Sequence, residues 1–172
     1  YKLPGYDVKI SKQDIAKNEL PKATLKLTSL DGYDLSGAVV KQGSTKITVK
    51  VSSDKKSISF DTATKPSVVS GLKPGRYKLE ETVVPEAFLR AAAITFKINR
   101  NGKITDDNDV EVTGSTVVMI DRADPDYKKK NSVPATGVGT SPTNVIGAAV
   151  LALSAACCAG IIIYHIRKKR YM

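Results

Sequence analysis

The sequence predicts an all-β antiparallel sandwich followed by a linker, one membrane-spanning helix and a short basic tail. Three observations predict this arrangement: short alternating polar and apolar runs between turn residues, a long uncharged segment near the end, and an uneven distribution of charge. The 172 residues carry a formal charge of +10. Residues 127–172 hold seven of the 27 basic side chains and none of the 17 acidic ones, so the excess belongs to the C-terminal part.

The sandwich is predicted for residues 1–126. Short alternating runs recur there between turn signals, and no stretch shows a helical period. The Asn-Gly pair at 101–102 predicts a hairpin between Ile98 and Ile104. Regular spacing of this kind is typical of antiparallel sandwiches, and no internal repeat is present. The predicted strands cover residues 7–12, 24–29, 45–52, 57–61, 76–83, 93–99 and 115–121.

The composition excludes several classes of site. Both cysteines, Cys157 and Cys158, lie in the uncharged segment, and the only histidine, His165, adjoins the basic tail. Residues 1–126 thus contain no cysteine and no histidine, which excludes a disulfide scaffold, a cysteine-ligated metal and histidine-based catalysis there. We expect no metal, no cofactor and no enzymatic activity toward other molecules. The acidic run at 106–109 is interpreted as a solvated loop, with weak calcium binding as the alternative.

The uncharged segment covers residues 145–166 and predicts a membrane span. Its 22 residues would form a helix of about 33 Å, which matches the hydrocarbon core of a bilayer. A basic cluster at 167–172 follows directly, and such clusters stay cytoplasmic, so the globular part is expected outside. Because the basic residues flank a span, nucleic-acid binding is not expected. The membrane-retention cluster consists of Arg167, Lys168, Lys169 and Arg170.

The linker at residues 127–144 contains a second motif. It is rich in Lys, Ser, Thr, Gly and Pro, which predicts an extended tether. Within it, VPATG precedes the span and the basic tail, and this order resembles the LPXTG-like sorting signal of Gram-positive sortase substrates. Proline at its second position biases the preceding residue toward an extended shape that presents the scissile peptide. The motif consists of Val133, Pro134, Ala135, Thr136 and Gly137, with valine where the commonest form has leucine.

The sorting resemblance implies a sequence of events. A sortase cysteine would cleave between Thr136 and Gly137, and an amine would resolve the thioacyl enzyme into an amide. The acceptor amine would come from a peptidoglycan precursor or from a pilin lysine. The protein would be exported, held transiently in the membrane, and then attached covalently to the cell wall. A membrane-tethered protein that no sortase cleaves is the alternative, and Tyr1 is interpreted as a cut end.

Four strings in the globular part carry a second resemblance. They are VKISKQD at 8–14, ELPKATLKL at 19–27, GLKPGRYKLEETVVP at 71–85 and VVMID at 117–121. Together they resemble the CnaB (SpaA-like, prealbumin-like) domains of Gram-positive surface proteins and pilins. The resemblance implies an immunoglobulin-like or prealbumin-like sandwich of the CnaB type. It also implies an intramolecular isopeptide bond between the first and last strands, assisted by an acid.

The resemblance assigns the amine to Lys9, the carboxyl partner to Asp121 and the proton-relay acid to Glu81. Strand alternation supports the two acids, because each falls on the face of its strand that carries the apolar residues. Alternation favours Lys12 over Lys9, since Lys12 shares a face with apolar neighbours on the first strand. Lys9 is preferred on position, and Lys12 is kept as the alternative.

The function implied is structural. We expect a sortase-anchored cell-wall protein or pilin subunit that acts as a stalk or spacer and is stabilised by its own crosslink. An adhesin whose binding region lies upstream is the alternative. Expected partners are the sortase, other pilus subunits and possible host matrix proteins. The sequence leaves open whether the chain polymerises, which sortase class cleaves it, and what an adhesive part would bind.

Overall fold

The computed structural model describes residues 4–128. The predicted span at 145–166 and the basic cluster at 167–172 lie outside this range, as does all but the start of the linker. Among residues 4–128, no helix is long and apolar enough to cross a membrane. Twelve strands are present: β1 Tyr6–Asp14, β2 Thr24–Ser29, β3 Val39–Gln42, β4 Thr45–Ile47, β5 Lys50–Val51, β6 Ser57–Asp61, β7 Ser67–Leu72, β8 Gly75–Val83, β9 Phe88–Leu89, β10 Ile94–Ile98, β11 Ile104–Thr105 and β12 Thr116–Ala123.

The strands form two six-stranded sheets, and the all-β sandwich is confirmed. Sheet I has the order β4-β3-β7-β1-β12-β9, and sheet II has the order β11-β10-β8-β2-β6-β5. A short 3-10 turn, Thr113–Ser115, precedes the last strand. The two longest strands of sheet I, β1 and β12, come from opposite ends of the domain sequence.

One strand pair departs from the antiparallel prediction. β1 and β12 run parallel, with Ile10 beside Val117 and Lys12 beside Met119. All other pairs between strands are antiparallel within the described range. Parallel neighbours need a long connection between them, and here that connection is nearly the whole domain. The first and last strands therefore become direct neighbours in sheet I.

The core lies between the two sheets and follows the alternation of the strands. In β8, Tyr77 and Leu79 point inward, while Lys78 and Glu80 face outward. Tyr77 stacks on the Phe96 ring with 5.7 Å between centroids, which adds an aromatic contact to the buried area. The fully buried core side chains include Val8, Ile10, Leu25, Leu27, Ile58, Phe60, Val69, Leu72, Ile98 and Met119.

The predicted hairpin after β10 is confirmed. Ile98 pairs with Ile104 across β10 and β11, and residues 99–103 form the loop. Gly102 has φ of +79°, and its amide donates to the Asn99 carbonyl at 3.0 Å. The Tyr6 ring packs against this glycine so closely that no side chain fits between them. The loop is therefore held against the start of β1.

Candidate functional site

Three charged side chains are buried inside the sandwich. Lys12 is 1% exposed, Glu81 4% and Asp121 0%. Lys12 belongs to β1 and Asp121 to β12 in sheet I, whereas Glu81 belongs to β8 in sheet II. Each side chain continues the inward alternation of its strand, so the fold brings one amine and two carboxyls together between the sheets.

The amine contacts both carboxyls. Lys12 Nζ donates a hydrogen bond to Asp121 Oδ1 and lies 3.1 Å from Glu81 Oε1. The second oxygen of the Glu81 carboxyl, Oε2, accepts a hydrogen bond from the backbone N–H of Ala91 at 3.0 Å. The lysine thus bridges carboxyls that come from the two different sheets.

Two carboxyl oxygens of the cluster are incompletely satisfied. Glu81 Oε1 and Asp121 Oδ2 are buried and have no well-oriented hydrogen bond with any described residue. Glu81 Oε1 is close enough to Lys12 Nζ for an ion pair, but the angles do not suit a hydrogen bond. Burying charged groups with unsatisfied atoms costs free energy, so the unreacted cluster lowers the stability of the folded domain.

The protonation of Asp121 is shifted by this environment. Burial raises the pKa of Asp121 to about 6, and the adjacent Glu81 adds to the rise. The hydrogen bond from Lys12 and its positive charge act in the opposite direction but do not cancel the effect. Near neutral pH, the neutral acid form of Asp121 is therefore readily reached, which is the form in which a carboxyl can lose its hydroxyl.

Lys9 lies away from this cluster. Its side chain is exposed and occupies the opposite face of β1, beside Val68 on one neighbour and Thr116 on the other. The structure therefore places Lys12, which alternation favours, beside the two carboxyls, and it does not bring Lys9 to them. The physical reason is that successive side chains of a strand point to opposite faces. Lys9 and Lys12 are three residues apart, an odd number, so they lie on opposite faces of β1.

The remaining candidate residues fall into two groups. The sorting motif and the membrane-retention cluster lie outside the described residues. The acidic run at 106–109 is within them, and Asp106 Oδ1 accepts from the backbone N–H groups of Asn108 and Val110 at 2.9 Å each. Asp109 pairs with Lys97 at 3.2 Å. In residues 4–128, no group of three or more potential ligands is arranged to hold a metal ion.

Ala91 is a site component that sequence reasoning missed. Its contribution is a backbone N–H, and a backbone donor has no side-chain signature in the sequence. Residues 91–93, just before β10, are exposed or partly exposed alanines, a pattern that carries no chemical signal. Only the folded geometry shows that this amide faces Glu81.

Comparison with known proteins gives one family. The model of the family described as "SpaA: Prealbumin-like fold domain" matches residues 6–111. This range includes Lys12 and Glu81 and ends before Asp121. No curated protein matches the chain.

Several solved structures are similar to this chain over part of its length. A pilus-presented adhesin, Cpa, is 24% identical, with a TM-score of 0.45, over 63% of this chain and 20% of that one. The major pilin SpaD from Corynebacterium diphtheriae is 17% identical, with a TM-score of 0.45, over 72% and 31%. The shaft pilin SpaA from Lactobacillus rhamnosus GG is 15% identical, with a TM-score of 0.40, over 70% and 47%. The chain thus spans less than half the length of each of these structures.

Proposed function

Because the chain belongs to the SpaA family of prealbumin-like fold domains, we propose that it is a structural cell-surface module, a stalk or pilin subunit, that closes itself with an isopeptide bond between Lys12 and Asp121. The observation that carries this proposal is the buried cluster of one amine and two carboxyls at the junction of the first and last strands. A buried cluster of this kind has little value as a set of ion pairs, since desolvation offsets most of the attraction. The same groups are, however, the reactants that an amide bond between lysine and aspartate requires.

The reaction joins an amine and a carboxylic acid. A proton passes from Lys12 Nζ to the Asp121 carboxyl, which leaves a neutral amine beside a neutral acid. Nζ then attacks Cγ of Asp121, so that a C–N bond forms. The C–O bond breaks as one oxygen leaves with two protons as water, and Glu81 relays the proton that the nitrogen gives up. The products are one amide and one water, with Glu81 unchanged.

The crosslink also removes an energetic problem. The unreacted lysine and aspartate are a buried ion pair with an unsatisfied carboxyl oxygen. After reaction, both are replaced by a neutral amide, which is much less costly to bury than two charges. The gain from closing a loop of this length resembles that of a long-loop disulfide, about 4 to 5 kcal/mol, and it does not depend on redox conditions.

The test is the intact mass of the full chain and of single variants. We expect the parent to be lighter than its sequence by one water, with the linked peptides containing Lys12 and Asp121. Lys12→Ala and Asp121→Ala should keep the water, and Glu81→Gln should lose it far more slowly than the parent. Lys9→Ala is the matched control, because it removes a lysine from the same strand on its exposed face, and it should lose water like the parent. A parent at full sequence mass would contradict the crosslink.

The proposal extends to anchoring. A sortase would cleave between Thr136 and Gly137 and transfer the chain to a peptidoglycan precursor or a pilin lysine, which places the module on the cell surface. The support is the order of the VPATG motif, the apolar segment and the basic cluster in the sequence. Substituting Thr136→Ala in a sortase-containing Gram-positive host should shift the protein from the wall fraction to the membrane fraction. An unchanged distribution would favour a simple membrane tether.

A further inference from the structure

We propose that the backbone N–H of Ala91 is a positioning group for the crosslinking reaction, because it fixes the Glu81 carboxyl so that its proton is carried on Oε1. This inference rests on the proposed function and concerns the same site. It assigns a role to the segment of residues 88–91, which we call the strap.

The two oxygens of Glu81 have different surroundings. Oε2 accepts the hydrogen bond from Ala91 N–H at 3.0 Å. An amide N–H can only donate, so Oε2 acts as an acceptor and the proton of a neutral carboxyl belongs on the other oxygen. That oxygen, Oε1, lies 3.1 Å from Lys12 Nζ and has no well-oriented hydrogen bond within the described part of the chain. The proton is therefore held on the side of the reacting pair.

The strap is itself fixed to the two strands that carry the carboxyls, β8 and β12. Arg90 Nη2 donates to the Thr82 carbonyl at 3.3 Å, one residue beyond Glu81 on β8. On the other side, Leu89 pairs with Arg122, one residue beyond Asp121 on β12. The strap therefore connects the positions that follow both carboxyls, although these carboxyls belong to different sheets.

This fixation matters because a carboxyl group rotates easily about its terminal torsion. Without a donor at Oε2, rotation would exchange the two oxygens and turn the proton away from Asp121 in part of the population. In the reaction, Oε1 gives its proton to the departing oxygen of Asp121 and recovers one from the attacking nitrogen, so that water leaves and Glu81 is regenerated. An N–H on Oε2 keeps the same oxygen in place for both transfers.

The test removes this single donor from the full chain. Lactic acid in place of alanine at position 91 replaces the N–H by an ester oxygen and keeps the side chain. The matched control carries the same replacement at Ala92, which is exposed and whose N–H makes no hydrogen bond to a described residue. The measured quantity is the fraction of chain lighter by one water as a function of time after cell-free synthesis.

We expect the ester at 91 to slow crosslinking on the order of tenfold, because a hydrogen bond to an ionisable group is lost, whereas the ester at 92 should match the parent. In a Glu81→Ala background, the ester at 91 should have no further effect on the residual rate, since the donor acts through Glu81. Equal slowing in both backgrounds would indicate a merely structural role and overturn the inference.

The outcomes also separate this inference from the proposed function. A crosslinked parent with equal rates for the two esters would overturn the role of Ala91 alone. A parent that never loses water would overturn the crosslink and the role of Ala91 together.

Discussion

Lys12 places a positive charge in a core that also holds the carboxyls of Glu81 and Asp121. Three ionisable groups in one small buried volume are strongly interdependent, because each one sets the charge state that the others can adopt. Removing one member therefore changes the pH dependence of the whole domain, and this effect is measurable even where no covalent bond forms.

A Lys12→Met variant should lose stability as the pH rises. The variant cannot crosslink, and it lacks the amine that opposes the rise in the pKa of Asp121, which is already about 6 with the lysine present. A carboxyl whose pKa is raised by folding binds more protons in the folded state, so stability is full below about pH 4 and falls as the pH passes 6. We expect a loss of about 2 kcal/mol or more by pH 8, measured by urea denaturation across this range.

The control for this experiment is Lys12→Met combined with Asp121→Asn. An amide does not titrate, so the double variant should show a shallower pH dependence than Lys12→Met alone. A slope that stays the same would place the titrating group elsewhere.

Gly102→Ala should destabilise the domain by about 2 kcal/mol or more. A Cβ at this position would lie 2.5 Å from the Tyr6 ring, and the backbone has φ of +79°, which is unfavourable for residues with a side chain. Gly37→Ala is the matched control, because a Cβ there meets nothing within 4 Å. Thermal denaturation of both variants measures the difference, and equal melting temperatures would contradict the packing described for the hairpin loop.

Part of the site was predictable from residue patterns. Alternation along β8 and β12 places Glu81 and Asp121 on the inner face, and the structure agrees. The same rule favoured Lys12, which the structure places beside the two carboxyls, whereas Lys9, preferred for its position in the resembling motif, lies on the exposed face. The alternation of side chains along a strand directly constrains which residues are buried. A position in a motif identifies the correct residue only when the alignment with the motif is exact to one residue.

At the scale of single strands, β12 gives the sharpest contrast between its two faces. Val117 is 3% exposed, and its neighbour Val118 is 40% exposed. Val117→Ala should cost about 1 to 2 kcal/mol through lost burial and a residual cavity, while Val118→Ala should cost less than about 0.5 kcal/mol. Chemical denaturation of both variants tests the contrast, and a larger effect at 118 would mean that the outer face of β12 is covered.

The strand predictions succeeded where alternation was strong. β2, β6, β8 and β10 all correspond to predicted runs, and most of their inward positions are apolar, with Ser29 and Glu81 as polar exceptions. β7 was missed because one of its inward positions is Ser67 and it contains Gly71, so only Val69 signals a buried face in its middle. β9 and β11 have two residues each, which is too short for any periodicity. Tertiary pairing, and not local sequence, makes these segments strands.

At the scale of the whole molecule, the proposed crosslink joins positions that are 109 residues apart. Force applied to the ends would pass along β1 to Lys12, across the bond to Asp121, and out of the domain. The intervening strands carry no load in that arrangement. The parallel pairing of β1 with β12 could not be predicted from the sequence, because pairing between the two ends of a domain is set by topology.

Pulling on single molecules of the full chain tests this load path. The parent should show no extension from unfolding of the region between Lys12 and Asp121. Lys12→Met should release about 380 Å of chain, at about 3.5 Å for each of the 109 residues. Lys9→Met provides the control and should behave like the parent, and an equal release in the parent would contradict a load-bearing bond.

The parallel pairing of β1 with β12 also has a consequence for biosynthesis. Lys12 is made early, but its partner Asp121 is among the last residues of the domain to emerge from the ribosome. Until β12 is present, Lys12 lacks the Asp121 carboxyl with which the proposed crosslink forms, so the unfinished chain contains no loop closed by that bond. A chain without a loop can still be threaded linearly through a narrow channel. The order of the strands would therefore delay the proposed closure until the entire domain has been made.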